Sequence, residues 1–212
     1  MSKLRVLLVD DHTIVREGLK QILGEVPDMI VAGEASDGLE TLHKVREGHY
    51  DLVLLDIAMP GISGLDVLKQ LKSGKPDLPV LMLSMYPEEQ YAVRTLKAGA
   101  SGYLTKESAS DELIAAIRKV CSGGKYVTSS LAEKLAYCLD TYSEGPVHER
   151  LSDREYQVVR MIASGKTVTE IADALSLSVK TISTNRSRAL IKMGMKTNAE
   201  MTYYAIKHGL VE

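Results

Sequence analysis

Residues 6–11 read Val-Leu-Leu-Val-Asp-Asp, an apolar run that stops abruptly at two acids. Three further short runs end at a polar residue: Leu52–Leu55 at Asp56, Val80–Leu83 at Ser84, and Gly102–Thr105 at Lys106. Such runs, separated by stretches of helical periodicity, indicate buried parallel strands. Because the carboxyl ends of parallel strands lie on one edge of a sheet, we expect three carboxylates, a hydroxyl and an ammonium to meet there.

Strand and helix patterns alternate as far as residue 121, which predicts five βα units. The expected strands are Leu4–Val9, Met29–Gly33, Leu52–Asp56, Val80–Ser84 and Gly102–Leu104. We predict an α/β fold with a doubly wound, five-stranded parallel sheet in the flavodoxin-like order 2-1-3-4-5. That order places strands one and three side by side at the point where open α/β sheets bind ligands. Ser110 is expected to cap the last helix of this unit.

The pattern changes after residue 121, where strand signals disappear. Ser129–Leu139 is a candidate helix, and Asp140–Arg150 has the turn residues of a linker. Four helices are predicted beyond it, at roughly 153–164, 168–175, 179–193 and 198–208. The expected organisation is an α/β domain over 1–121, a linker with a helix over 122–150, and a smaller all-α domain over 151–212.

Composition sets broad limits on function. Hydrophobic residues make up 45% of the chain, charged residues 25%, and the net charge is −2, so the overall charge favours neither nucleic acid nor membrane. Residues 151–212, however, carry 9 Lys/Arg against 6 Asp/Glu, whereas residues 1–150 carry 17 against 22. No run approaches the roughly 18 apolar residues of a membrane span, and we expect a cytoplasmic protein. Cys121 and Cys138 lack metal-ligand spacing, which favours reduced thiols.

Asp10, Asp11 and Asp56 would repel one another at the expected switch point. Magnesium suits such oxygen ligands and also accepts phosphate oxygens. A carboxylate can then attack a phosphoryl group, while the Ser84 hydroxyl and the Lys106 ammonium stabilise the developing charge. An Asp-Asp pair after one strand is often only a turn or a cap, but the joint pattern at four strand ends favours a magnesium-dependent phosphoacceptor site.

Residues 1–121 resemble the receiver domain of bacterial two-component response regulators. The matching stretches are Val9–His12, Leu55–Gly61, Leu83-Ser84 and Gly99–Lys106. The resemblance implies that Asp56 accepts a phosphoryl group from a histidine kinase and that Ser84 and Lys106 contact it. It also implies that Asp11, Asp56 and the carbonyl of Ala58 hold Mg²⁺, with Asp10 acting mainly through the waters of the metal.

Three positions near this site have alternative interpretations. Tyr103 matches the aromatic residue that turns inward as Ser84 moves in the family, although simple edge packing is the alternative. Met85 stands where a small residue is frequent, which suggests crowding of the phosphoryl pocket. His12 is adjacent to the acids, but capping of the first helix or contact with the kinase is favoured over a metal or general-base role.

The C-terminal pattern predicts a helix-turn-helix. Val168–Leu175 and Val179–Met193 are joined by Ser176-Leu177-Ser178, and Ser178 is expected to cap the second helix. That helix has an apolar face and a basic face, and no acid occurs between residues 174 and 199. A solvated surface is the alternative, but this composition suits phosphates and base edges. The polar face comprises Lys180, Thr181, Ser183, Thr184, Arg186, Ser187, Arg188 and Lys192.

Residues 151–211 resemble the LuxR-type helix-turn-helix, and the whole chain is similar to response regulators of the NarL/FixJ class. The matching stretches include Leu151–Glu155, Leu177–Ile182 and Tyr204–Leu210. The resemblance implies base contacts by Ser183, Thr184 and Ser187. It implies phosphate contacts by the remaining polar residues of the helix, namely Lys180, Thr181, Arg186, Arg188 and Lys192. Glu155 and Glu170 are expected to be structural, pairing with arginines.

The implied function is a phosphorylation-gated transcription factor that binds double-stranded DNA as a homodimer. It would not be an enzyme in the usual sense, since its only chemistry is magnesium-dependent phosphorylation of itself and slow hydrolysis. One alternative is a DNA-binding regulator that ignores phosphorylation and uses its receiver only for assembly. Another is an aspartyl-phosphate phosphatase, but the Asp-x-Asp spacing of such enzymes is absent at Asp10 and Asp56.

Overall fold

The computed structural model describes residues 3–128, 131–132 and 146–211, without the side chains of 89–90 and 109–111. The chain divides into two compact units, Met1–Leu139 and Asp140–Glu212. Most of the predicted helix Ser129–Leu139 and of the predicted linker Asp140–Arg150 lies outside the described residues. At their edges, residues 131–132 are helical and Val147–Arg150 form a short 3-10 helix. Within the described ranges, every helix is too short or too polar to cross a membrane.

Over residues 3–128, the first unit alternates five strands with five helices. They are β1 (Leu4–Val9), α1 (Thr13–Gly24), β2 (Met29–Ala35), α2 (Gly38–Glu47), β3 (Leu52–Asp56), α3 (Gly64–Gly74), β4 (Val80–Ser84), α4 (Glu88–Lys97), β5 (Gly102–Thr105) and α5 (Ala109–Cys121). The strands pair in parallel in the order β2-β1-β3-β4-β5. This order confirms the predicted doubly wound sheet.

The central strands are buried because both faces of a parallel sheet are covered. All residues of β3 and β4 and the last four of β1 are buried. Burial of this continuous apolar surface is the main source of stability for the unit. The register then aligns the strand ends: Asp56 lies opposite Leu83, and Ser84 lies opposite Thr105. The polar residues that end each strand therefore lie at one level.

The start of α5 differs from the prediction that Ser110 caps it. The helix begins at Ala109, and Ser108 occupies the cap position without a side-chain capping bond. The hydroxyl of Ser108 instead donates to the carbonyl oxygen of Thr105, 3.2 Å away, and accepts from the Thr105 hydroxyl at 3.0 Å. The prediction was wrong because this local turn satisfies Ser108 before the helix begins.

Besides the 3-10 helix, the described part of the second unit contains four α-helices, α6 (Asp153–Ala163), α7 (Val168–Ala174), α8 (Val179–Met193) and α9 (Asn198–Lys207). Ser178 caps α8 as predicted, since its hydroxyl accepts from the backbone N–H of Thr181 at 3.1 Å. Between α7 and α8, Ser176 has a φ of 52°, which is uncommon for a residue other than glycine. The apolar face of α8 is buried and comprises Ile182, Ala189, Leu190 and Met193. The structure thus confirms four helices close to their predicted bounds.

Substitution of Gly64 tests how tightly α3 is packed beneath the end of β3. A Cβ atom at Gly64 would lie 1.9 Å from the carbonyl oxygen of Asp56. Because backbone must move to relieve this overlap, we expect Gly64→Ala to lower the free energy of unfolding by more than about 2 kcal/mol. Gly18→Ala is the control, since Gly18 lies within α1 and its Cβ would meet nothing within 4 Å. It should raise stability by about 0.5–1 kcal/mol. Urea unfolding followed by far-UV circular dichroism measures the free energy of unfolding of both variants. Equal changes in the two would contradict the tight packing of Gly64 against Asp56.

Candidate functional site

Three charged side chains are buried together at the carboxyl edge of the sheet. The side chains of Asp10 and Asp56 are each 1% exposed, and that of Lys106 is 8% exposed. The Nζ atom of Lys106 lies 2.6 Å from Oδ2 of Asp10 and 3.0 Å from Oδ2 of Asp56. Charged groups are rarely buried unless they are paired. The strand ends have therefore brought together groups that could not be buried separately.

Asp11 and His12 form the outer side of this cluster. Asp11 is partly exposed, and its Oδ1 lies 2.8 Å from Nδ1 of His12. His12 precedes α1 at the cap position, but its ring makes no capping bond and faces the acids, 3.3 Å from Oδ1 of Asp10. His12 thus occupies the cap position of α1, as one of the two favoured interpretations had it, while its ring contacts the two neighbouring carboxylates.

The pKa shifts follow from burial and from the pairing of opposite charges. Burial raises the pKa of Asp56, and Asp10 adds to this effect, whereas Lys106 opposes it. For Lys106, burial alone would lower the pKa, but Asp56 and Asp10 raise it above its ordinary value. The ammonium is therefore firmly charged. One cation faces two buried carboxylates, and the cluster is short of positive charge.

The donor set of this pocket fits a divalent cation. One ligand atom from each of Asp10, Asp11, His12 and Asp56 lies within 4.8 Å of all the others. Oδ1 of Asp56 is also buried and receives no hydrogen bond of good geometry from the described residues. Carboxylate oxygens are the ligands preferred by hard divalent cations. The pocket is thus of the acidic type that binds such a cation.

The backbone of Tyr86 connects two of the predicted site residues. The hydroxyl of Ser84, which is fully buried, accepts from the N–H of Tyr86 at 3.0 Å. The hydroxyl of Tyr103, also buried, donates to the carbonyl oxygen of Tyr86 at 2.8 Å. Both side chains therefore hold the segment just before α4. No side-chain pattern indicates this link, because the shared partner is a main-chain group.

Met85 follows Ser84 at the end of β4, and the residue is 66% exposed. Its effect on access to Asp56 stays a prediction.

The predicted DNA-contacting residues all lie on α8, outside its buried face. Arg186 is half-buried, with its Nε donating to Oδ1 of Asn198 at 2.5 Å. The hydroxyl of Thr184 donates to the carbonyl oxygen of Lys180 at 2.9 Å. The other members are exposed, namely Lys180, Thr181, Ser183, Ser187, Arg188 and Lys192. The helix thus presents a continuous basic and hydroxyl-rich surface.

Comparison with known families decides the identity of the chain. The family model described as the response regulator receiver domain matches residues 6–118. The model described as bacterial regulatory proteins of the luxR family matches residues 149–205. The chain belongs to the NarL/FixJ class of response regulators. It is accordingly a regulator rather than a classical enzyme.

Curated relatives match this response regulator over almost its whole length. It is 38% identical to the response regulator UvrY of Escherichia coli K12 over 208 residues, which cover 98% of this chain and 95% of UvrY. It is also 38% identical to the response regulator GacA of Pseudomonas protegens over 209 residues, covering 99% of this chain and 98% of GacA.

Solved structures show the same pair of domains. RcsB of Salmonella typhimurium superimposes with a TM-score of 0.71 at 28% identity, covering 98% of this response regulator and 99% of RcsB. An RcsB–DNA complex matches with a TM-score of 0.60 at 27% identity, covering 100% of both chains. These relatives confirm that the receiver and the helix-turn-helix occur together in one regulator.

In this response regulator, the ammonium of Lys192 on α8 forms an ion pair within the domain. Its Nζ lies 2.6 Å from Oε2 of Glu155, whose side chain is only 4% exposed. Oε2 of Glu155 also accepts from the N–H of Ser152 at 2.7 Å. Burial alone would raise the pKa of Glu155, but Lys192 and Ser152 hold it below its usual value. The pair ties α8 to the start of α6.

Neither glutamate predicted to be structural uses the expected arginine partner. Glu155 binds Lys192, and Glu170 binds Thr167, whose N–H lies 2.7 Å from its Oε2. Glu155 and Glu170 are each the third residue of a helix, where a carboxylate reaches back to the cap. Because both carboxylates are used in this capping geometry, the prediction that they pair with arginines was wrong.

Replacing Lys192 tests this pair. In Lys192→Met the buried Glu155 carboxylate loses its cation, and we expect the free energy of unfolding to fall by about 1–3 kcal/mol near neutral pH. Lys180→Met, on the same helix, should change it by less than about 0.5 kcal/mol. Urea unfolding of the full chain measures both variants.

The effect of Lys192→Met should also depend on pH. Because the pKa of Glu155 is lowered in the folded protein, the pair contributes stability above the unfolded carboxyl pKa of about 4.3 and loses it as pH falls through the folded value. The difference from wild type should therefore narrow on acidification. A difference that is constant with pH would contradict this role for Glu155.

Proposed function

We propose that this chain is a DNA-binding transcriptional regulator gated by phosphorylation of Asp56, with a sensor histidine kinase as the donor. The observation that carries the proposal is the buried contact between Asp56, Asp10 and Lys106 at the end of β3. We assign residues 1–121 to the receiver, 122–150 to the linker and 151–212 to the DNA-binding domain. A cytoplasmic location follows from the DNA target.

Asp10, Asp11, Asp56 and the carbonyl oxygen of Ala58 would hold Mg²⁺ in this mechanism. When bound, Mg²⁺ neutralises the carboxylates and the phosphoryl oxygens that approach them. A carboxylate oxygen of Asp56 attacks phosphorus, so that an O–P bond forms while the bond from phosphorus to the donor's histidine nitrogen breaks. Lys106 is already 3.0 Å from Asp56 and stabilises the charge on the transferred group.

Phosphorylation changes the balance of charge around Ser84. The acyl phosphate adds negative charge and acceptor oxygens beside Lys106. The hydroxyl of Ser84 can then donate to a phosphoryl oxygen, and movement of the side chain towards that oxygen breaks its contact with the N–H of Tyr86. Tyr103 holds the carbonyl of the same residue, so its position changes as Tyr86 moves. The signal thus reaches the segment before α4 through two direct hydrogen bonds.

The proposed DNA-binding surface is the exposed side of α8. Lys180, Thr181, Arg186 and Arg188 would contact phosphates, and Ser183, Thr184 and Ser187 would face base edges. Lys192 is assigned to the internal pair with Glu155 instead of to DNA. A homodimer would place two such helices on two half-sites. RcsB, the relative solved with DNA, supports this use of the domain.

Intact-mass spectrometry and a gel shift on the same samples test the proposal. The full chain is incubated with Mg²⁺ and phosphoramidate as wild type, Asp56→Asn and the control Asp77→Asn, which alters an exposed acid before β4. The DNA is a duplex selected from a random-sequence pool by the phosphorylated wild type.

We expect one phosphoryl adduct and tighter DNA binding for wild type and Asp77→Asn, and neither for Asp56→Asn. An adduct without any change in DNA binding would favour the phosphorylation-independent regulator.

A further inference from the structure

Arg16 connects the loop that carries the acids to two other elements. Its Nη1 donates to the backbone carbonyl oxygen of Asp10 at 2.7 Å, and its Nη2 donates to the hydroxyl of Thr13 at 3.3 Å. Its Nε lies 3.3 Å from Oε2 of Glu34, at the end of β2. The side chain is only 14% exposed, although it carries a full charge. One guanidinium therefore joins the end of β1, α1 and β2.

We propose that Arg16 is a positioning residue for the phosphoacceptor site, which sets the direction in which Asp10 and Asp11 point. Asp10 follows the last residue of β1, where its N–H still pairs with the carbonyl oxygen of Ala35 at 3.2 Å. Its carbonyl oxygen is held by Arg16, so both sides of Asp10 are fixed.

A lysine cannot replace all three contacts, since only the planar guanidinium presents several donors in fixed directions. The inference rests on the proposed function, because the acids act there on Mg²⁺ and on the phosphoryl group.

Magnesium affinity and phosphorylation rate separate this role from a general structural one. Loss of a contact that orients metal ligands typically weakens metal binding by about 10–100-fold. For Arg16→Gln we expect a Kd for Mg²⁺, measured by calorimetry, raised by about tenfold or more. The phosphorylation rate of Arg16→Gln at saturating Mg²⁺ should stay within about twofold of wild type. The Kd of Arg16→Lys for Mg²⁺ should lie between those of wild type and Arg16→Gln. Lys20→Gln is the control, because Lys20 also contacts Glu34, at 3.0 Å, but not Asp10.

Two results would overturn the inference. One is an unchanged Kd for Mg²⁺ in Arg16→Gln. The other is an equal loss of Mg²⁺ affinity in Lys20→Gln, which would assign the effect to the contact with Glu34. If the wild type itself neither bound Mg²⁺ nor accepted a phosphoryl group, the proposed function would fail together with this inference.

A second and independent observation concerns residues 125–128, here called the return segment. After α5 the chain turns back along the open edge of β5, where the N–H of Tyr126 donates to the carbonyl oxygen of Ser101 at 2.9 Å. Tyr126 and Gly102 form an isolated parallel bridge. The hydroxyl of Tyr126 donates to Oε2 of Glu112 at 2.7 Å, and burial together with Glu112 raises the pKa of Tyr126 to about 12. The return segment is thus an added part of the receiver sheet.

Thr128 extends this contact to α4. Its hydroxyl donates to Oε2 of Glu88, the first residue of α4, at 2.5 Å, and accepts from the N–H of Leu131 at 3.2 Å. Leu131 itself is only 1% exposed. Among the described residues, the side-chain pair of Thr128 and Glu88 joins the end of the return segment to α4.

We infer that the pair of Glu88 and Thr128 is a latch that phosphorylation of Asp56 opens. Glu88 lies four positions after Ser84 in the chain, and the backbone of Tyr86 between them is held by Ser84 and by Tyr103. When Ser84 releases the N–H of Tyr86, Glu88 shifts together with Tyr86. The hydrogen bond from Thr128 to Glu88 then breaks. The return segment then keeps only its contacts with β5 and α5, and its backbone amides open to solvent more often. This inference rests on the proposed function, since it supplies the next step after Ser84 moves.

Hydrogen exchange of the return segment, measured by mass spectrometry on the full chain, tests the latch. Thr128→Val removes the hydroxyl while keeping the shape, and Thr128→Ser keeps the hydroxyl. A hydrogen bond to a charged group contributes about 1.5–3 kcal/mol, so Thr128→Val should speed exchange by roughly tenfold or more without phosphorylation. Thr128→Ser should resemble wild type, and phosphoramidate with Mg²⁺ should speed exchange in wild type.

Intact mass shows in each sample whether Asp56 carries the phosphoryl group. If the adduct is present and exchange of residues 125–128 is unchanged, the latch is overturned while the proposed function stands. Equal exchange in Thr128→Val and wild type would also overturn it. If no adduct forms on the wild type, both fail together.

Discussion

The receiver unit depends on the burial of two carboxylates and one ammonium at the ends of parallel strands. Each of these charges alone would be costly to remove from water, and each is tolerated because its partners are fixed by the backbone. The sheet supplies that rigidity, since β1 and β3 are neighbours and β5 lies beside β4 at the edge of the sheet. The pocket is left short of positive charge, which favours the binding of a divalent cation there.

Much of this arrangement could be predicted from the sequence because strand ends obey a simple rule. Asp10, Asp56, Ser84 and Lys106 each stand directly at or after the end of an apolar run, and parallel strands align such ends. The helices of the second unit were also predictable, since caps such as Ser178 and periodic apolar residues mark them. In both units the informative signals are local in the chain.

The contacts that were not predicted involve main-chain partners or residues that are far apart in the sequence. Ser84 and Tyr103 both form hydrogen bonds with the backbone of Tyr86. Arg16 donates to the backbone carbonyl oxygen of Asp10. Because the partners are main-chain groups, no side-chain pattern predicts these contacts. Lys192 and Glu155 are far apart in the chain, and a lysine on a basic helix face gives no sign that it is already paired. Sequence patterns identify which groups are available, whereas the fold decides which of them are already satisfied.

The position of Tyr86 has a thermodynamic consequence. One residue gives its N–H to Ser84 and its carbonyl to Tyr103, so the two side chains cannot change partners independently. In the proposed switch, Tyr86 has two positions, one for each phosphorylation state of Asp56. Linkage then makes the coupling reciprocal: any output contact that favours the displaced position of Tyr86 must favour the phosphorylated form by the same factor. A DNA duplex that is bound more tightly after phosphorylation would therefore, by the same amount, make Asp56 a better phosphoryl acceptor at equilibrium.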